Sequence, residues 1–129
     1  VAAIIGAPRR ELVASVVAGL HEQNAAEALA AVADATAASA DINLFIRLIL
    51  EQVRTVILLR HKPKEQEILL AAYNPDTAET LGSFAAKPSS RLNSHLLRRL
   101  LAAAIEAKQS DLAHLPLEIA IVELCQNPK

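Results

Sequence analysis

Five residues of this 129-residue chain have side chains suited to metal binding, proton transfer at neutral pH or thiol chemistry: His21, His61, His95, His114 and Cys125. A structural or catalytic zinc site needs several such ligands at defined spacing. The chain has no His-x-x-x-His pair and none of the Glu-x-x-His spacing of di-iron bundles. The histidines therefore read as surface or loop side chains. Ser94 and His95 are neighbours in sequence, but adjacent residues on a helix point about 100° apart. Nothing supplies the orienting third group that a nucleophilic triad needs. Cys125, the lone cysteine, excludes an internal disulfide and a cysteine-based metal site. Inside an apolar run it reads as a small buried hydrophobe. Gly6, Gly19 and Gly82 are isolated, so no Gly-rich phosphate loop exists. The expectation is no catalytic residue, no bound cofactor and no metal, with no ATP binding or hydrolysis by this chain.

Two basic groups remain. Arg60, His61, Lys62 and Lys64 cluster at the end of the longest helical pattern, where cations complement the helix dipole. Arg91, Arg98 and Arg99 fall on a later helix. The seven-residue spacing of Arg91 and Arg98 puts both on one face, with His95 between them. One reading is a solvated helix face. The other is an interface, because arginine pairs bidentately with carboxylates where proteins meet. Glu118 and Glu123 are then candidate partners, within the domain or on a neighbour. A DNA-binding helical module is an alternative resting on the basic clusters alone. It lacks an aromatic platform, and 13 basic against 14 acidic residues give a net charge of −1.

The elements that position these residues are helices in series. Pro8 opens the first, which carries Leu12, Val13, Val16, Val17 and Leu20 at helical spacing. Asn24 caps an Ala-rich second helix, and Gly19 with Asn24 suggests a tight turn between the two. Asp41 caps the longest, Ile42 to His61, whose few polar residues Arg47, Glu51 and Arg54 share one stripe. A helix apolar around most of its circumference is the central packing element, and it offers more apolar surface than a small bundle covers. Lys62–Pro63 ends it. A short helix from Lys64 to Ala72 follows, then one opened by Asn74–Pro75–Asp76 and stopped by Pro88. Ser89 or Ser90 caps a sixth, from Arg91 to Gln109, with the apolar stripe Leu92, Leu96, Leu97, Leu100, Leu101, Ala104 and Ile105. Leu115–Pro116 opens the last. Its run Leu117–Leu124 could also be a buried strand, but no second strand exists to pair with it.

Composition bounds the class. The chain is 53% hydrophobic but only 2% aromatic, with no Met or Trp. Its core must be Ala, Leu, Ile and Val. Hydrophobicity with near-zero net charge excludes disorder, and the length suits one domain without staples. No stretch reaches the ~20 apolar residues of a membrane span, and the first residues do not form a signal peptide. The fold class expected is all-α, a compact bundle of about six to seven helices over residues 1–129, in a reducing cytoplasmic setting. The missing initiator Met and the abrupt apolar start suggest a segment of a longer protein.

Four stretches carry a resemblance: Val-Ala-Ala-Ile-Ile-Gly-Ala-Pro-Arg-Arg-Glu-Leu (1–12), His-Glu-Gln-Asn-Ala-Ala-Glu-Ala-Leu-Ala-Ala-Val (21–32), Asp-Ile-Asn-Leu-Phe-Ile-Arg-Leu-Ile-Leu-Glu-Gln-Val-Arg (41–54) and Leu-Pro-Leu-Glu-Ile-Ala-Ile-Val-Glu-Leu-Cys (115–125). In this order they resemble domain III of the gamma/tau subunit of bacterial DNA polymerase III, the collar of the sliding-clamp loader. The related collar of the delta subunit is the neighbouring alternative. The resemblance implies a non-catalytic oligomerisation domain that holds clamp-loader subunits together during DNA replication. It implies gamma/tau copies, delta and delta-prime as partners, no membrane and no direct DNA contact. ATP and Mg would belong to separate AAA-type ATPase modules. With that role in view, the candidate subunit interface is Arg91, Arg98 and Arg99 on the sixth helix and Leu117, Glu118, Ile121, Glu123 and Leu124 on the last. A ligand-binding bundle or enzyme would need a polar constellation in the core, and none is visible.

Overall fold

A computed structural model describes residues 9–87 and 90–126. Among them run α1 (Arg10–Glu22), α2 (Ala25–Ala37), α3 (Ile42–His61), a 3-10 turn (Pro63–Glu65), α4 (Gln66–Leu70), α5 (Pro75–Ala86), α6 (Ser94–Lys108) and α7 (His114–Gln126), with no strand. Leu117–Leu124 is thus helix. The expected caps at Asn24, Asp41 and Asn74 form: each Oδ1 accepts from a backbone N–H three residues on, at 3.1, 3.2 and 2.8 Å. These bonds satisfy donors that a helix start otherwise leaves orphaned.

The long helix α3 has the expected bounds and the central place. It packs against α1, α4, α5 and α6, while α2 and α7 close the bundle through α1 and α6. Phe45, Ile46, Ile49, Val53 and Val56 are all 0% exposed, and Arg47, Glu51 and Arg54 form its wet stripe. No large apolar side chain of α3 is left exposed. The expectation of surplus apolar surface on this helix is therefore corrected. Neighbours on several sides explain it: α1, α5 and α6 all pack on α3, and Ala103 and Ala107 of α6 are buried, where alanine lets helix axes approach closely.

The α1–α2 turn is as tight as Gly19 and Asn24 suggested. A Cβ on Gly19 would lie 2.9 Å from the Asn24 carbonyl oxygen and 3.0 Å from the Ala28 nitrogen. The turn closes through Asn24 N–H to Gly19 O at 2.7 Å, with Gln23 left-handed at φ 60°. This is a Schellman motif built without glycine at its left-handed position. Ser39 repeats it after α2, also at φ 60°, with Ala40 N–H bonded to Ala35 O at 3.0 Å.

Several sequence expectations shift. The short helix splits into the 3-10 turn and α4, neither of which has a buried residue. The last helix starts at His114, with Pro116 in its first turn. Asn93, rather than Ser89 or Ser90, caps α6 by accepting from Leu96 N–H at 2.9 Å. Ser90 is engaged elsewhere, accepting from Leu92 N–H at 3.2 Å and sharing a hydrogen bond with His21. Pro8, Pro88 and Ser89 lie outside the described residues.

Candidate subunit interface

Because α6 starts at Ser94, Arg91 precedes the helix and does not share a helical face with Arg98. The expected arginine stripe is corrected to that extent. Arg91 instead meets Arg99 across a groove of about 680 Å³ at the N-terminal end of α6, lined also by His95, Leu96, Glu123 and Leu124. Arg99 Nε donates to Glu123 Oε1 at 2.6 Å, tying α6 to α7. Arg98 is exposed on the neighbouring side of α6, beside Ser94, His95 and Ala102. Glu118 is half-buried and forms no ion pair among the described residues.

Leu117 and Ile121 are 0% exposed. They belong to the core and cannot face a neighbour, so their place in the candidate interface is corrected. The reason is the angular position of Leu117, Ala120 and Ile121, which together form the inward side of α7. Its outward side is also apolar, and here sequence reading missed the relevant residues. Of six large apolar side chains exposed among the described residues, five lie between Leu101 and Ile119: Leu101 at 47%, Ile105 at 61%, Leu112 at 55%, Leu115 at 42% and Ile119 at 46%. The sixth is Ile68 on α4. Leu101 and Ile105 were expected in the buried stripe of α6. A strict spacing of four, three and four through Leu96, Leu100, Ala103 and Ala107 is the signal that separates the buried column from them. Two alanines fill that column, and leucine and isoleucine are left outside.

Away from this surface, His21 is buried, against the expectation of surface or loop histidines. Its ring stacks on Phe84 at 4.1 Å and its Nδ1 lies 2.9 Å from Ser90 Oγ. Burial pushes its pKa below the ordinary 6.5; Lys87 and Arg60 push the same way, and Glu22 opposes them. Arg60 does more than complement a helix dipole. It donates to Ala85 O at 3.4 Å and to Leu92 O at 3.0 Å, joining α3 to the end of α5 and to the α5–α6 connection. Cys125 is half-buried, and burial raises its thiol pKa. Among the described residues no three His, Cys, Asp or Glu side chains gather as a metal set, and no helix is long and apolar enough to cross a membrane.

Fold and surface together define an all-α helical domain with an exposed apolar hairpin, α6–α7, flanked by arginines. Comparison with protein families gives the particular one: the family described as DNA polymerase III subunits gamma and tau domain III matches residues 1–129. The chain belongs to this family and is a domain of a clamp-loader subunit of the DNA replication machinery. Neither curated proteins nor solved structures gave a match.

Proposed function

We propose that this domain is the non-catalytic oligomerisation collar of its subunit, and that the outer face of α6–α7 contacts neighbouring clamp-loader subunits. The observation that carries the reading is the concentration of exposed Leu101, Ile105, Leu112, Leu115 and Ile119 on one hairpin. Exposed apolar surface of this kind marks sites where proteins meet. The arginine groove beside it, with Arg91, Arg99, Glu123 and Leu124, supplies the polar edge that such interfaces carry. Gamma/tau copies, delta and delta-prime are the partners this role calls for. ATP and Mg are left to other modules of the assembly.

The test is assembly of the full gamma/tau subunit with its delta-type partners, followed by analytical ultracentrifugation. Ile105→Asp with Ile119→Asp is expected to weaken assembly at least about tenfold, since charges buried in a contact cost several kcal/mol. Arg98→Glu with Arg99→Glu tests the polar edge separately. Unchanged assembly with all four substitutions, in a chain that keeps its helical circular dichroism, would remove the reading. Salt-dependent binding of primed DNA by the isolated chain would instead favour the DNA-binding alternative.

A further inference from the structure

The charges of this chain are segregated along it. Over residues 22–46 four acids, Glu22, Glu27, Asp34 and Asp41, stand with no Lys or Arg. Over residues 87–108 five Lys and Arg stand against the single acid Glu106. The first stretch is α2 with its flanks, and the second is α6 with the connection before it. Both helices pack on α7, and they share no extensive contact with each other. Helix α7 therefore lies between an acidic edge and a basic edge.

Burial fixes which side each edge presents. On α2 the buried residues are Ala28, Ala31, Val32 and Ala35, and the opposite side carries Ala26, Ala30, Ala33 and Ala37, all exposed. Glu27 and Asp34, seven residues apart, share one flank of this alanine face and form no ion pair among the described residues. On α6 the side opposite the buried column carries Arg98, Leu101 and Ile105, all exposed. Arg98 likewise forms no ion pair among the described residues.

We propose, on the reading that α6 contacts other subunits, that the outer ridge of α6 in one copy of this domain docks head to tail on the alanine face of α2 in a second copy. Charge complementarity names the occupant. Arg98 of the ridge brings a guanidinium to Glu27 and Asp34, carboxylates that it can pair. Leu101 and Ile105 meet a face of methyl groups, where a ridge of large side chains seats with the helix axes close. A two-fold pairing of α6 with α6, or of α2 with α2, would set like charges together and oppose association. The head-to-tail contact leaves one α2 face and one α6 ridge free at the ends, so it extends until its rotation closes a ring.

The experiment is sedimentation velocity of the 129-residue chain over a concentration series. The native chain is expected to self-associate. Two variants each lose one surface: Ala30→Lys with Asp34→Lys reverses the α2 face, and Arg98→Gln with Ile105→Gln neutralises the ridge. All four sites are exposed helix positions, the new residues favour helix, and circular dichroism checks the fold. Each variant alone is expected to self-associate at least about tenfold more weakly. Mixed in equal amounts, they are expected to form a 1:1 dimer and nothing larger, through the ridge of the first and the α2 face of the second. A native chain that stays monomeric, an α2 variant that associates like the native chain, or a mixture without the dimer overturns the proposal. In the full gamma/tau subunit, assembly with the delta-type partners that is lost in the ridge variant but kept in the α2 variant removes this contact and leaves the α6–α7 reading standing.

Discussion

Arg99 Nε donates to Glu123 Oε1 at 2.6 Å, so one charged hydrogen bond spans from the first turns of α6 to the last turn of α7. The arginine side chain is 25% exposed and the carboxylate 56%, so water screens the pair. Exposed pairs typically contribute below about 1 kcal/mol. Glu123→Gln is therefore expected to lower stability by less than about 1 kcal/mol in urea unfolding, with the loss shrinking as salt is added. Its larger consequence is orientation: the pair holds one arginine of the groove while Arg91 and Arg98 form no ion pair among the described residues. A loss of about 3 kcal/mol or more would mean that the pair is desolvated as a buried one is.

Two glycines should respond in opposite directions to the same substitution. Gly82 lies mid-helix in α5, and a Cβ there would meet nothing within 4 Å. Gly82→Ala is expected to stabilise by roughly 0.5–1 kcal/mol, the difference in helix propensity. Gly19→Ala would push a methyl group to 2.9 Å from a backbone carbonyl of the α1–α2 turn. Overpacking of this kind costs roughly 1–3 kcal/mol. Thermal melts of both variants check the pair, and an equal stabilisation would contradict the close α1–α2 crossing. Gln23→Gly, at a left-handed position that disfavours side chains, is expected to raise stability by roughly 0.5–1 kcal/mol.

What the sequence revealed was local. Asn24, Asp41 and Asn74 act over three residues, and each was readable because cap, first turn and following periodicity sit together. The polar stripe of α3 was readable for the same reason. Tertiary choices were hidden. Asn93 rather than Ser90 starts α6, and Ser90 is held instead by Leu92 N–H and by His21, 69 residues away in sequence. Leu117 and Ile119 are both large, apolar and on α7; only packing against the other helices separates the buried one from the exposed one. The arginine groove needed α6 and α7 side by side, which no spacing within either helix reports.

His21 is expected to make the domain less stable in mild acid. The unfolded imidazole takes up a proton near its ordinary 6.5, whereas the folded ring, buried and facing Lys87 and Arg60 with Glu22 opposing, does so only at lower pH. Protons thus bind the unfolded chain preferentially, and stability falls as pH drops from about 6.5 towards the folded-state value. Above that range the His21 contribution is fully present. Urea midpoints at about pH 7.5 and about pH 5.5 are expected to differ more for the native chain than for His21→Gln, which does not titrate there. Equal differences would show that other groups account for the acid sensitivity.

Leu117 and Ile119, two residues apart on α7, separate stability from assembly. Leu117 is 0% exposed in the core, and Ile119 is 46% exposed on the outer face. Leu117→Ala deletes buried methyl groups and is expected to cost roughly 2–5 kcal/mol. Ile119→Ala removes a side chain that folding only half buries and is expected to cost no more than about 1 kcal/mol in urea unfolding. If the α6–α7 face contacts other subunits, the order reverses when ring assembly is measured at a temperature where both variants are folded. Ile119→Ala then weakens association, while Leu117→Ala, whose side chain never reaches the surface, leaves it near the native level. Loss of assembly in both variants in proportion to their stability would place the contact elsewhere on the domain.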